Sequence, residues 1–283
     1  MSFFAVTTPT FAVPLADTVS ASVKLSAPFV STSSSLALSD VPTESHNQFL
    51  LRTSGEYPIG IDISHWQANL MPHFEDPGFA FVISKATEGN TWKDASFKKN
   101  WTYTKKLKMV RGAYHFYLPN DTPIQQADNY LSTLSYWRLF WLKDKPSANL
   151  PPIVDVETAP KGKSKEQFQS ELLTFLAYVE AKTNRKPIIY TYIWFADTYL
   201  DNPKLAEYPL WIAHYTPNDS PTLPKTWQSK VPKFWQRSHN YKLGSYNTDF
   251  NVFFGSISEL KRGLVAEKAQ LQDRNNASSG KIK

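Results

Sequence analysis

Eight short apolar runs, separated over most of the chain by helix-sized amphipathic stretches, leave few folds open. The runs fall at Ile59–Ile63 and at 79–84, 111–116, 152–156, 187–192, 210–214, 233–236 and 250–253. They are nearly continuous in Val, Ile, Leu and aromatic residues, the pattern of strands covered on both faces in a parallel sheet. The clearest helical pattern spans 165–182, with apolar residues at Phe168, Leu172, Leu173, Phe175, Leu176 and Val179. Ser164, three residues before Gln167, is placed to start it with a capping box. Further helices are expected at 95–107 and 124–134. No helix-sized pattern separates the last three runs. Strand and helix in alternation predict an α/β fold: an irregular TIM-like (β/α) barrel of eight strands with fewer helices. A doubly wound open sheet is the alternative.

The 283 residues can build one large domain or two small ones. Residues 1–56 are rich in Ser, Thr, Pro and Ala, and the run Ser31-Thr32-Ser33-Ser34-Ser35 offers little to bury. This stretch reads as a disordered leader and linker, adding little to stability. It resembles a degraded signal segment in part, with Val19-Ser20-Ala21 as a passable cleavage site. No Lys or Arg precedes Lys24, so a signal's positive start is missing. Residues 265–283 read as a flexible polar tail, leaving 57–264 as one folded block. The absence of cysteine excludes a disulfide framework, a thiolate metal site and a cysteine nucleophile. A net charge of +6 suits an anionic polymer, but no concentrated basic stripe points to nucleic acid. No apolar run reaches the length of a membrane-spanning helix.

Asp155-Val156-Glu157 closes the fourth apolar run. In an extended chain residues i and i+2 share a face, so these carboxylates stand roughly 6–7 Å apart in one space. Like charges held together push their pKa values apart, and one protonated beside one ionised carboxyl is the equipment of glycoside hydrolysis. An exposed Asp-x-Glu at a strand end would carry the same letters, so its surroundings decide. In a barrel, chemistry sits at the C-terminal strand ends. Asp62 falls there in the first run and Glu88 just beyond the second, whereas Asp249 adjoins the N-terminal side of the eighth. Trp66, Tyr114, Tyr190, Tyr192, Trp211, Tyr215, Trp235 and Gln236 lie near the same ends, and flat rings with polar tips suit sugars. His65, His115 and His214 lack the spacing of metal ligands, so neither metal nor cofactor is expected.

The ordered set of motifs resembles the glycoside hydrolase family 25 lysozymes. Gly60-Ile61-Asp62-Ile63-Ser64-His65-Trp66-Gln67 looks like that family's opening, and Ser84-Lys85-Ala86-Thr87-Glu88-Gly89 is similar to its second signature. Gly112-Ala113-Tyr114-His115-Phe116 and Pro152-Ile153-Val154-Asp155-Val156-Glu157 match the third and fourth. Tyr190-Thr191, Leu210-Trp211-Ile212-Ala213-His214-Tyr215, Trp235-Gln236 and Asp249-Phe250-Asn251-Val252-Phe253 follow in order. The resemblance implies an N-acetylmuramidase that hydrolyses the β-1,4 bond between N-acetylmuramic acid and N-acetylglucosamine in peptidoglycan. It implies Glu157 as general acid, Asp155 as its stabilising partner, and Asp62 and Asp249 shaping the cleft. It also implies an exported protein acting on peptidoglycan glycan strands, expected to be a monomer. Two other readings stay open: a non-catalytic glycan-binding protein on the same barrel, and a chitin-type glycosidase. The aromatic segment 136–149 just before the catalytic run departs from the family pattern.

Overall fold

The computed structural model describes residues 46–71, 74, 78–136 and 149–264. Eight strands close into a barrel: β1 (Ile59–Ile63), β2 (Phe81–Glu88), β4 (Val110–Phe116), β5 (Ile153–Asp155), β6 (Ile188–Tyr192), β7 (Leu210–Ala213), β8 (Phe234–Leu243) and β9 (Tyr246–Phe253). A two-residue strand, β3 (Trp92–Lys93), folds back antiparallel on the end of β2. From β1 to β8 the barrel strands pair in parallel. β9 alone runs the other way, antiparallel to both β8 and β1, and closes the ring. The doubly wound alternative is thereby excluded.

Helices cover the barrel where the sequence between strands is long enough to form them. α2 (Phe97–Lys106) joins β2 to β4, and α3 (Pro123–Tyr136) leaves β4. α4 (Lys165–Thr183) precedes β6 and α5 (Ile193–Tyr199) follows it. The Ser164 hydroxyl caps α4 by accepting from Gln167 N–H, and Asn184 ends it in the left-handed conformation that favours Asn. Phe168, Leu172, Phe175, Leu176 and Val179 form the buried stripe of α4, as their spacing predicts. After β7 only a single 3₁₀ turn (Lys225–Trp227) precedes β8, and a tight hairpin at Gly244 joins β8 to β9.

Alternation along each strand separates two apolar layers. Phe81, Ile83, Ile153, Ile188, Trp211, Phe234 and Phe253 fill the barrel, while Val154, Ile189, Ile212 and Trp235 pack outward beneath the helices. β1 and β2 approach so closely that a Cβ on Gly60 would clash with the Phe81 carbonyl oxygen, which only glycine avoids.

Two expectations need correction. The stretch read as leader holds α1 (His46–Thr53) in its last part. Leu50 of this helix is 2% exposed, in an apolar cluster with Tyr241 and Val252. Asn47 donates to Lys242 O at 2.7 Å and accepts from Lys242 N–H at 3.0 Å, so its amide reads the β8 backbone like a strand neighbour. The short run Phe49-Leu50-Leu51 amid polar residues gave too little pattern to reveal the helix. Trp235 is also misplaced by the sequence reading. It is 1% exposed, faces the outer layer, stacks on Phe254 and donates to the His214 carbonyl. Its neighbour Gln236 takes the inward position, as period-two alternation requires. Residues 1–45 of the proposed leader, the tail and nearly all of the aromatic segment 136–149 lie outside the described residues.

Candidate active site

Ile153, Asp155 and Glu157 alternate inward from β5, while Val154 and Val156 point out into the helix-covered layer. The backbone stays extended beyond the formal strand: Val156 N–H donates to Tyr190 O and Asp155 O accepts from Tyr117 N–H, each at 2.9 Å. Both carboxylates therefore reach the same mouth. Asp62 arrives from the C-terminal end of β1. Because β9 is reversed, its N-terminal half lies at that mouth as well, and Asp249 is the register partner of Asp62. Asp249 does adjoin the N-terminal side of its run, and the reversed direction of the strand is what brings that side to the mouth.

Two adjoining cavities open here. One, of about 160 Å³, is lined by Asp62, Asp155, Glu157 and Asp249 together with Lys85, Tyr114, Trp211 and Gln236. Trp66 stands at its rim, 78% exposed, its ring against that of His65. The second, of about 360 Å³, is walled by Tyr192, Ile193, Trp194, His214 and Tyr215. Glu157 and Tyr190 belong to both cavities. An acidic lobe and an aromatic lobe thus meet at one carboxyl group.

Electrostatics follow from burial. Desolvation, then the neighbouring charge of Glu157, hold Asp155 well above the usual carboxylate range. Desolvation and the Asp62 charge raise Glu157 in the same way. Burial and Asp62 push Asp249 up to about 9. Lys85 is the opposing charge and pulls both Asp155 and Glu157 down. Its ammonium lies 2.7 Å from Glu88 Oε2 and 4.6 Å above the Phe116 ring. A bulge in β2 between Lys85 and Thr87 shifts the alternation, so that Lys85 and Glu88 reach each other across it. Glu88 thus partners a cation at the rim. Buried Asp155 Oδ1 has no hydrogen-bond partner among the described residues.

Of the other sequence candidates, Trp211 and Gln236 tie the floor together. Trp211 Nε1–H donates to Asn251 Oδ1 at 2.8 Å, and Gln236 Nε2 donates to Asp62 Oδ2 at 3.0 Å. Tyr190 and Tyr215 both donate to Gln236 Oε1. Lys85, Asn251 and Trp194 were not singled out from the sequence. Lys85 and Asn251 sit inside quoted motifs, whereas Trp194 follows Tyr192 by two residues, a spacing that signals nothing once the strand has become a helix. The three histidines have separate tasks. His65 pairs with Asp94 at 3.3 Å, buried His115 bonds Thr87 and Gln126, and His214 Nδ1 accepts from Thr222 N–H.

The model of Glycosyl hydrolases family 25 matches residues 61–245, a span that runs from within β1 to the β8–β9 hairpin. The chain belongs to glycosyl hydrolase family 25. Lysozyme M1 of Streptomyces globisporus is 34% identical over 215 residues, covering 71% of this chain and 69% of that protein. The protein YegX of Escherichia coli K12 is 33% identical over 224 residues, covering 75% and 76%. The crystal structure of the bacterial lysozyme from Streptomyces coelicolor superposes with a TM-score of 0.62 at 30% identity, covering 75% of this chain and all of that one. This family 25 protein is therefore a glycoside hydrolase of lysozyme type on an irregular barrel.

Proposed function

We propose that the protein cleaves the β-1,4 bond between N-acetylmuramic acid and N-acetylglucosamine in peptidoglycan, with Glu157 as general acid and Asp155 as its partner. The observation that carries this reading is that Glu157 lines both lobes of the cleft. A glycan laid across the mouth has sugars on either side of that carboxyl, so its linking oxygen lies beside a proton donor. Burial and Asp62 favour the protonated form of Glu157 required at that moment. The proton passes to the linking oxygen as the bond to C1 breaks, leaving positive charge on the sugar ring and its acetamido group. Asp155 Oδ1, unpartnered among the described residues, accepts the acetamido N–H or faces that charge. Water then adds to C1 and returns a proton to Glu157. The exposed rings of Trp66, Trp194 and Tyr215 supply flat apolar surfaces for sugar faces. Such a substrate puts the protein's workplace in the cell envelope or outside the cell.

Digestion of purified peptidoglycan by the wild type and by Glu157→Gln, with mass spectrometry of the products, tests the reading. The wild type is expected to release fragments ending in reducing N-acetylmuramic acid, and the variant to be slower by about 10²–10⁴-fold with its fold intact. Near-normal turnover by Glu157→Gln overturns the assignment of the acid. Cleavage of chitin oligosaccharides in place of peptidoglycan overturns the substrate.

A further inference from the structure

Asp62 and Asp249 are register partners across β1 and β9, and the donors around them favour one arrangement of charge and proton. An indole N–H can only donate. Trp211 Nε1–H at 2.8 Å therefore makes Oδ1 the Asn251 atom on its side, and Asn251 Nδ2 turns to Asp62 Oδ2 at 2.7 Å. On the other flank Tyr190 and Tyr215 donate to Gln236 Oε1 at 2.9 and 2.7 Å, and Gln236 Nε2–H donates to the same Asp62 Oδ2 at 3.0 Å. Two amide donors on one carboxylate oxygen keep a proton off that oxygen and favour the ionised form of Asp62. Asp249 is the register partner of Asp62, and one proton held between two buried carboxyls relieves the repulsion of like charges. Burial raises Asp62, and its bonds from Gln236 and Asn251 oppose that rise.

Resting on the reading of Glu157 as general acid, we infer that Asp62 and Asp249 act as a fixed acid pair in which Asp62 holds the charge and Asp249 the proton. Asn251 and Gln236 impose this order. They are positioning residues: they act on the reaction through Asp62, whose anion faces Glu157 and keeps its proton in place. Asp249 serves as a neutral donor to Asp62, and its location on the reversed strand is what allows the contact. Other ionisable groups also face the pair. Lys85 comes from β2 with Glu88 bonded to it, Tyr114 from β4, and Asp155 beside Glu157 from β5, while the Tyr190 and Tyr215 phenols stay neutral through burial. Lys85 is the cation among them, and its partner is Glu88.

The test compares Asp62→Asn with Asp249→Asn in the full chain, through the pH dependence of kcat/KM on soluble peptidoglycan fragments. Asp62→Asn removes the anion that raises Glu157, so the basic limb of the profile moves to lower pH and activity falls about 100-fold. Asp249→Asn keeps a neutral donor at the same place, so the basic limb stays and the loss is nearer tenfold. Equal losses with equal movement of the limb overturn the inference. Carbon-13 titration of the aspartate carboxyls in Glu157→Gln protein reads the pair without turnover. Asp249 protonated and Asp62 ionised at pH 7 is expected, and the opposite order or two ionised groups overturns it. Failure of the wild type to cleave peptidoglycan counts against the proposed function and leaves the titration result standing.

Discussion

Lys85 balances a site that otherwise concentrates negative charge. It lowers the proton affinity of both Asp155 and Glu157, so its removal raises both. In Lys85→Met the ionisation of Asp155 and the loss of the Glu157 proton both occur at higher pH. The kcat/KM profile is expected to move to the alkaline side, with activity at pH 6 reduced by roughly tenfold, less than loss of the acid itself. An unmoved profile would show that Lys85 only braces Glu88. This residue was hard to read from sequence because a lysine three positions before a glutamate on a strand is ordinarily on the opposite face. The β2 bulge reverses that, and bulges leave no mark in the hydrophobic pattern. Asp155 and Glu157 were legible for the converse reason: regular alternation from Ile153 fixes where they point.

At the scale of elements, strand runs survive in sequence because burial on both faces keeps them apolar, and α4 survives because its cap and stripe agree. Strand direction does not survive. Nothing in Asp249-Phe250-Asn251-Val252-Phe253 states that β9 runs backwards, and with it the side of the barrel on which Asp249 falls. Trp235 and Gln236 show the same limit at finer grain, since which of two adjacent residues faces in depends on a register that the letters do not carry. α1 is a packing element that its composition conceals. Its removal exposes the site of Leu50, worth about 1.5–3 kcal/mol, besides the Asn47 bonds to β8 and the His46 contact with Ser238. A chain starting at residue 57 is expected to melt roughly 5 °C below one starting at residue 46. Equal melting temperatures in calorimetry would show that α1 adds nothing.

For the molecule as a whole, the acid cluster trades stability for chemistry. Asp249 ionises near its ordinary 3.8 when unfolded but at about 9 in the folded state. Below 3.8 both states hold the proton and the group is neutral to folding. Between 3.8 and 9 the folded state binds more protons than the unfolded one, so its stability declines as pH rises. Asp249→Asn removes that slope. The variant is expected to melt above the wild type at pH 8 and close to it at pH 3.5; a gain of equal size at both values would point to packing in place of protonation. The reversed last strand has a consequence for synthesis too. Asp62 and Asn251 meet across 189 positions of chain, from the first and last strands of the ring. Until the final hairpin has left the ribosome and zipped onto β1, the ring stays open and Asp62 lacks both Asp249 and Asn251.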